Sequence, residues 1–295
     1  MTPARAAGIS VLSNIFVIGI ELTAGVLTGS VAIVAGAANS LLDLMAALIA
    51  FLGLRVAYQP PDAGHPFGHG KAENLAAFAE ALLIVGGAGW VIYEAVGRLA
   101  SGVKLEFLEV GIGVMLVSAS VNFGVSRFLF RMARKHDSLA LEADARHLVA
   151  DIYTSLGVIV SLVLVRLTGF ELLDPVVALG VALLILKSAW DVGRKTFPGL
   201  VDARLPVAEE RVIVDTIVEH YRQFIDFHEL RTRHSGRTHY VDLHLTLSGK
   251  ISLEEAHRLC DHLEKDIQAR LPNTSVTIHC EPPEKKPAPD KTGPS

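Results

Sequence analysis

Two pairs of polar residues stand four apart inside long apolar stretches: Asn39 and Asp43 in AANSLLDLMAALIAF, and His147 and Asp151 in HLVADIYTSLGVIV. A spacing of four puts each pair on one face of a helix. If these stretches cross a bilayer, each ionised carboxylate costs about 2.5–3.5 kcal/mol at the membrane centre, so two of them need a compensating partner. A divalent cation would supply one, because three side-chain oxygens and one imidazole nitrogen can surround it tetrahedrally. A lone Asn or His in a membrane helix is explained as well by an interhelical hydrogen bond. Two pairs that together carry two acids and a histidine favour coordination. Asn14, Glu21, Glu80, Asn122 and Asp144 are also polar residues in apolar surroundings. They read equally as path lining or as packing, with Glu80 and Asp144 expected near span ends.

Two further groups have ligand chemistry. In YQPPDAGHPFGHG (58–70) proline and glycine forbid regular helix, while Asp62, His65 and His69 provide the donors of a second zinc site with one position open. Exposed loop histidines without a metal are the plain alternative. The C-terminal third concentrates histidine at His228, His234, His239, His244, His257, His262 and His279, with Glu281 close to the last. His228 opens one expected strand, His244 lies on its neighbour, His257 on the following helix, and His279 with Glu281 ends the last strand. One side of a sheet is therefore expected to gather several of them. Cys280, between His279 and Glu281, is expected on the opposite face, and both it and Cys260 read as small buried apolar residues. The one His-Glu dipeptide, His228–Glu229, lies outside the apolar stretches, and no H-E-x-x-H helix is present, which excludes an intramembrane metalloprotease of that type.

The elements that must position these groups follow from hydropathy. Half of the 295 residues are hydrophobic (51%) and the mean hydropathy is +0.41, a balance that points to membrane insertion. Apolar runs near 7–30, 31–54, 74–99, 107–126, 147–165 and 175–192 each approach the ~20 residues that span the hydrocarbon. Six spans put both termini on one side. That side collects Arg5, Arg55, Lys71, Arg127, Arg131, Arg134, Lys135, Arg194 and Lys195, against Arg98, Lys104 and Arg166 opposite. Both termini are thus expected in the cytoplasm, with no structural disulfide there. A net charge of −4 and no basic, aromatic-interleaved surface give no sign of nucleic-acid binding.

The expected architecture is a polytopic α-helical membrane domain of six helices (1–200) followed by a cytoplasmic α+β domain (201–283). In the latter, helix, strand, strand, helix and strand follow in order, Tyr240 to Leu245 alternates as a half-buried strand, and Ser252 with Glu255 forms a capping box. Residues 284–295, rich in proline and charge, read as a disordered tail.

Taken together, HPFGHGKAE (65–73), the NSLLD of 39–43, HLVAD (147–151) and HELRTRHSG (228–236) resemble the cation diffusion facilitator family over about residues 7–282. The resemblance implies a ferredoxin-like cytoplasmic domain, a homodimer, and export of a divalent metal in exchange for protons. It implies a transport site at Asn39, Asp43, His147 and Asp151 and a loop site at Asp62, His65 and His69. It also implies a cytoplasmic binuclear site at His228, His244, His257, His279 and Glu281, and a pair linking the two domains across the dimer at Lys71 and Asp202. The implied membrane is the bacterial inner membrane. Zinc is the expected ion. Asn39 departs from the aspartate usual in zinc-exporting bacterial members, which opens the alternative of an exporter preferring manganese, iron or cobalt, with cadmium a further possible ion. A membrane metal sensor that does not transport is the other alternative.

Overall fold

The computed structural model describes residues 1–28, 31–101, 109–170 and 172–283. They divide into two compact units, Met1–Val201 and Asp202–Ser295.

The first unit is helical. Its described elements are α1 (Pro3–Thr28), α2 (Val31–Ala57), α3 (Lys71–Ser101), α4 (Glu109–His136), α5 (Leu139–Thr168) and α6 (Leu173–Leu200). Among the described residues five helices are long and apolar enough to cross a membrane. The remaining one, α4, ends in Arg127, Arg131, Arg134 and Lys135, and the expected start of its span, Phe107, lies outside the described residues. The helices overrun the apolar runs at several ends, because polar turns such as Lys71–Glu73 and Leu139–Arg146 continue the helix past the apolar core of each span.

Burial in this unit is inverted relative to a protein in water. Leu12, Phe16, Leu82, Trp90, Leu183 and Trp190 are exposed, while Ser10, Asn14, Glu80, Asn122, Asp144 and His147 are buried. Such a surface is stable only against hydrocarbon. Among the described residues the larger buried apolar cluster of this unit lies at one end, where the starts of α1, α3 and α5 meet the ends of α2, α4 and α6. Ala6, Ala7, Leu54, Ala77, Leu129, Ala133, Ala140, Leu141 and Leu148 form one buried cluster there. Small residues let helix backbones approach closely where no hydrophobic driving force separates helix from lipid. A Cβ added at Gly53 would lie 2.3 Å from the Ala76 Cβ and 3.2 Å from the Ala72 carbonyl, so α2 and α3 touch through glycine. Polar bonds tie the same end: Ser138, which caps α5, donates to the buried Glu73 at 2.5 Å, and the Asn74 amide donates to the Thr196 carbonyl at 3.3 Å.

The second unit is a two-layer α+β domain with α7 (Val207–Glu219), β1 (Asp226–Ser235), β2 (Thr238–Thr246), α8 (Leu253–Arg270) and β3 (Thr274–Glu281). The sheet order is β1-β2-β3, antiparallel between β1 and β2 and parallel between β2 and β3. A crossover is needed between parallel neighbours, and α8 is that crossover. Val241, Leu243 and Leu245 on alternate positions of β2 pack with Ile213 and Ile217 of α7 and Leu259, Leu263 and Ile267 of α8. The helices therefore cover one face of the sheet and leave the other bare. Ser252 and Glu255 form the reciprocal capping box that starts α8.

Cys260 on α8 and Cys280 on β3 bring their sulfurs to 3.1 Å between helix and sheet. Burial pushes the Cys260 thiol up to about 12. Cys280 is exposed, contrary to the expectation that both cysteines are buried. It lies on an edge strand, where one helix covers the sheet incompletely.

The Gly53 contact carries a stability test. Gly53→Leu forces a side chain into backbone and should lower the melting temperature of the detergent-solubilised protein, by an overpacking cost of at least about 1–3 kcal/mol. Gly124→Ala, where an added Cβ meets nothing within 4 Å, should leave it unchanged or raise it. Equal melting temperatures for Gly53→Leu and the parent would show that α2 and α3 do not make this contact.

Candidate metal centres

Asp43 on α2 meets His147 and Asp151 on α5, and one ligand atom from each lies within 4.8 Å of the others. His147 Nε2 is 3.2 Å from Asp43 Oδ1. The Nδ1 of His147 and Oδ2 of Asp151 are buried and make no hydrogen bond. Buried polar atoms are normally paired, so these two atoms beside the carboxylates are placed to take a further partner, for which a cation is chemically suited. Asn14 on α1 braces the site from behind, its amide donating to the Asp43 backbone carbonyl at 3.2 Å. Asn39 lies on α2 one turn before Asp43, and its side chain is outside the described ones.

These residues stand on the wall of a cleft of about 790 Å³ between α2, α3, α5 and α6, lined also by Leu83, Gly87, Trp90, Glu94 and Thr154. A second cavity shares Val91, Glu94 and Thr154 and continues to Ser161 and Asp174, beside the turn between α5 and α6. The Ser161 hydroxyl donates to Asp174 at 2.6 Å. The two cavities thus extend from Asp43 and Asp151 toward the α5–α6 turn, with Glu94, Thr154, Ser161 and Asp174 set in largely apolar walls, and the alanine-rich cluster lies at the opposite end.

Two carboxylates that the spacing placed near span ends lie inside the bundle. Asp144, on α5 one turn before His147, is buried and accepts from Ser10 Oγ at 2.9 Å. Glu80 on α3 is fully buried, and neither of its carboxylate oxygens has a hydrogen-bond partner. Both are turned into the bundle within the first three turns of their helices, α5 beginning at Leu139 and α3 at Lys71.

In the loop between α2 and α3, Asp62, His65 and His69 also converge. Asp62 Oδ1 accepts the backbone amides of His65 at 2.7 Å and Gly64 at 2.9 Å, a side-chain-closed turn. The His65 and Gly64 amides hold the Asp62 carboxyl below its usual range. His69 Nε2 approaches Asp62 Oδ2 to 3.4 Å, and the two imidazoles lie 4.4 Å apart between centroids. Gly68 turns the chain between the histidines with φ of +82°, a conformation that costs a residue bearing a Cβ.

On the bare face of the sheet in the second unit, His228, His244 and Glu281 meet. Register explains it: His228 pairs with His244, and His244 with His279, so three strands project imidazoles from one row. Glu281 stands two residues past His279 on the same face, with Oε1 at 3.1 Å from His228 Nε2 and Oε2 at 3.5 Å from His244 Nδ1. The His279 ring lies 4.8 Å from that of His244. A bulge follows His228, and Glu229 takes φ of +49° there, which brings its carboxylate to 3.8 Å from His244 Nε2. His257 does not join within one chain. It is exposed on α8, beside Asp261 at 3.7 Å, in the layer on the other side of the sheet.

Lys71 opens α3 in the first unit. Asp202 opens the second with φ of +52°, its carboxylate 3.2 Å from Arg233 Nη1.

Comparison with known proteins gives this geometry its context. Residues 8–201 match the cation efflux transmembrane domain, and residues 206–283 match the cytoplasmic domain of cation efflux proteins. The chain belongs to the cation diffusion facilitator family. It is 35% identical over 276 residues to the uncharacterized transporter sll1263 of Synechocystis sp., covering 94% of this chain and 89% of that one. It is 37% identical over 279 residues to the cation-efflux pump FieF of Yersinia pestis, covering 95% and 92%. Among solved structures, the zinc form of CzrB matches 28% of this chain and 97% of its own at 37% identity, with a TM-score of 0.27. The metal-bound C-terminal domain of the Thermotoga maritima CzcD transporter matches 26% and 94% at 26% identity, with a TM-score of 0.24. As a cation diffusion facilitator the protein is an integral membrane transporter for efflux of divalent metal cations, with a cytoplasmic domain of the kind that dimerises.

In this family member the central cytoplasmic imidazole is His244, flanked on both sides. His244→Ala should weaken one class of zinc site on the purified full-length protein by at least about tenfold. Titration calorimetry reads this directly, and an unchanged isotherm would remove His244 from the ligands.

Proposed function

We propose that this transporter exports zinc from the cytoplasm in exchange for protons, through a site made of Asp43, His147 and Asp151 with Asn39. The observation that carries the reading is the convergence of two carboxylates and an imidazole, with unpaired buried atoms, on the wall of a cleft inside a lipid-facing bundle. A divalent ion replaces the hydration it loses with these ligands. The two carboxylates and a neutral imidazole give a formally neutral complex, which suits a low-dielectric interior.

The asymmetry of the bundle supports a state open toward the α5–α6 turn and closed at the end that holds the termini. With the termini in the cytoplasm, as the basic residues favour, that state is the outward one. Metal binds from the cytoplasm in the opposite state, and protons entering from outside compete for His147 and the carboxylates to release it. Histidine is the group best suited to that competition, since its ordinary titration lies near physiological pH. Both termini then face the cytoplasm of a bacterial inner membrane.

The remaining clusters take supporting roles. Asp62, His65 and His69 hold a second ion at the loop, and His228, His244, His279 and Glu281 hold cytoplasmic metal that favours one dimer geometry and so tunes transport. His257 would reach such a site only from the partner protomer, and Lys71 with Asp202 would link the domains across the dimer. Asn39 supports a second reading of the cargo. A neutral, hard amide oxygen in place of a carboxylate favours manganese, iron or cobalt more than an all-carboxylate site does, although the Irving–Williams order still places zinc above them.

Two measurements on proteoliposomes check these assignments. Asp43→Ala and Asp151→Ala should each abolish zinc uptake driven by a pH gradient while the dimer survives on size exclusion; normal uptake by either refutes the site. In competition between zinc and manganese, Asn39→Asp should shift uptake toward zinc and cadmium. An equal ratio in both proteins would show that Asn39 does not set selectivity.

A further inference from the structure

A separate group of ligands lies in the helical layer of the cytoplasmic domain, on the other side of the sheet from His228, His244 and Glu281. His220 caps the C-terminus of α7, and His262 and Asp266 stand one turn apart on α8. Their ligand atoms lie within 4.8 Å of one another. Asp266 Oδ2 is 3.2 Å from His220 Nε2 and 3.5 Å from His262 Nε2, and the two imidazoles meet edge to face at 5.1 Å. We propose that His220, His262 and Asp266 form a further binding site for a divalent transition-metal ion of the zinc, cobalt and nickel class, clamping the end of α7 onto α8.

A solvated ion pair along α8 accounts for His262 and Asp266 alone, since they are neighbours at i and i+4. It does not account for the third ligand, His220, which comes from another helix, is 11% exposed and converges on the same Asp266 oxygen. The Nδ1 of His220 faces the Thr216 backbone carbonyl at 3.0 Å. A carbonyl can only accept, so the proton sits on Nδ1. Nε2 is then the ring atom turned toward Asp266, and the 3.2 Å between Nε2 and Oδ2 is a spacing that two ligands of one ion can take. A backbone carbonyl that fixes the tautomer of a histidine is the usual outer support of a metal ligand. Two imidazoles and one carboxylate suit zinc-like ions better than hard magnesium or calcium, and leave a fourth position for water. An open cleft lined by Gln223, Asp261, His262 and Lys265 gives solvent and ion access to it.

This inference is independent of the transport reading, and its test is a binding measurement. Purified full-length protein in detergent is loaded with cobalt(II), and bound cobalt per chain is counted together with its visible d–d absorption. His262→Ala and Asp266→Asn should each remove one cobalt per chain, or weaken one site by at least about tenfold. The loss should persist when His244→Ala is already present. The His262 side chain is 61% exposed and Asp266→Asn preserves shape, so neither change should disturb the core. Cobalt binding and spectrum equal to the parent in both variants would overturn the proposal. So would a loss that vanishes in the His244→Ala background, because the residues would then belong to the sheet-face site.

Discussion

The cost of keeping carboxylates inside a lipid-facing bundle is the constraint on which the membrane domain depends. Asp43 and Asp151 share one pocket with His147, and a single 3.2 Å contact between Asp43 and the imidazole is the described hydrogen bond that crosses from α2 to α5 there. Breaking a buried pair by removing one partner leaves an uncompensated charge. The arrangement is therefore stable in two ways, with protons on these groups or with a divalent ion between them. In the proposed exchange that choice is the chemical basis, and the rest of the bundle decides which side of the membrane it faces.

Packing makes that decision. At one end residues of all six helices share one buried cluster, α2 and α3 touch through Gly53, and Ser138–Glu73 and Asn74–Thr196 tie three helix ends together. Away from that end a cleft remains, its largely apolar wall carrying Asp43, Glu94, Asp151 and Thr154. Close-packed interiors shift between discrete arrangements rather than deform continuously. A cluster of small residues is suited to such a shift, because few interdigitated side chains must be withdrawn for helices to slide or tilt.

The cytoplasmic domain separates its work by sheet face. Alternate residues of β2 send Val241, Leu243 and Leu245 into the helical layer and leave His244 on the bare side. The core that stabilises the domain and the imidazole row that can hold metal are thus interleaved in one strand without competing. The bulge at Glu229 adds a carboxylate beside His244, at the expense of about 1–2 kcal/mol for a non-glycine residue in the left-handed region.

Local pattern carried much of this protein. Hydropathy marked the helices of the bundle and the turn to an α+β domain, period-two alternation marked β2, and the Ser252–Glu255 spacing marked the start of α8. The pairing of Asn39 with Asp43 and of His147 with Asp151 on helix faces was legible for the same reason: a periodic backbone turns sequence spacing into direction. What spacing cannot state is which faces meet. Tertiary packing put His257 in the layer opposite His228 and His244, left Cys280 exposed at a sheet edge, drew Glu80 and Asp144 inside the bundle, and joined His220 to His262 and Asp266. Direction along one element is a property of that element's own dihedrals, whereas convergence between elements depends on crossing angles and contacts summed over the whole chain.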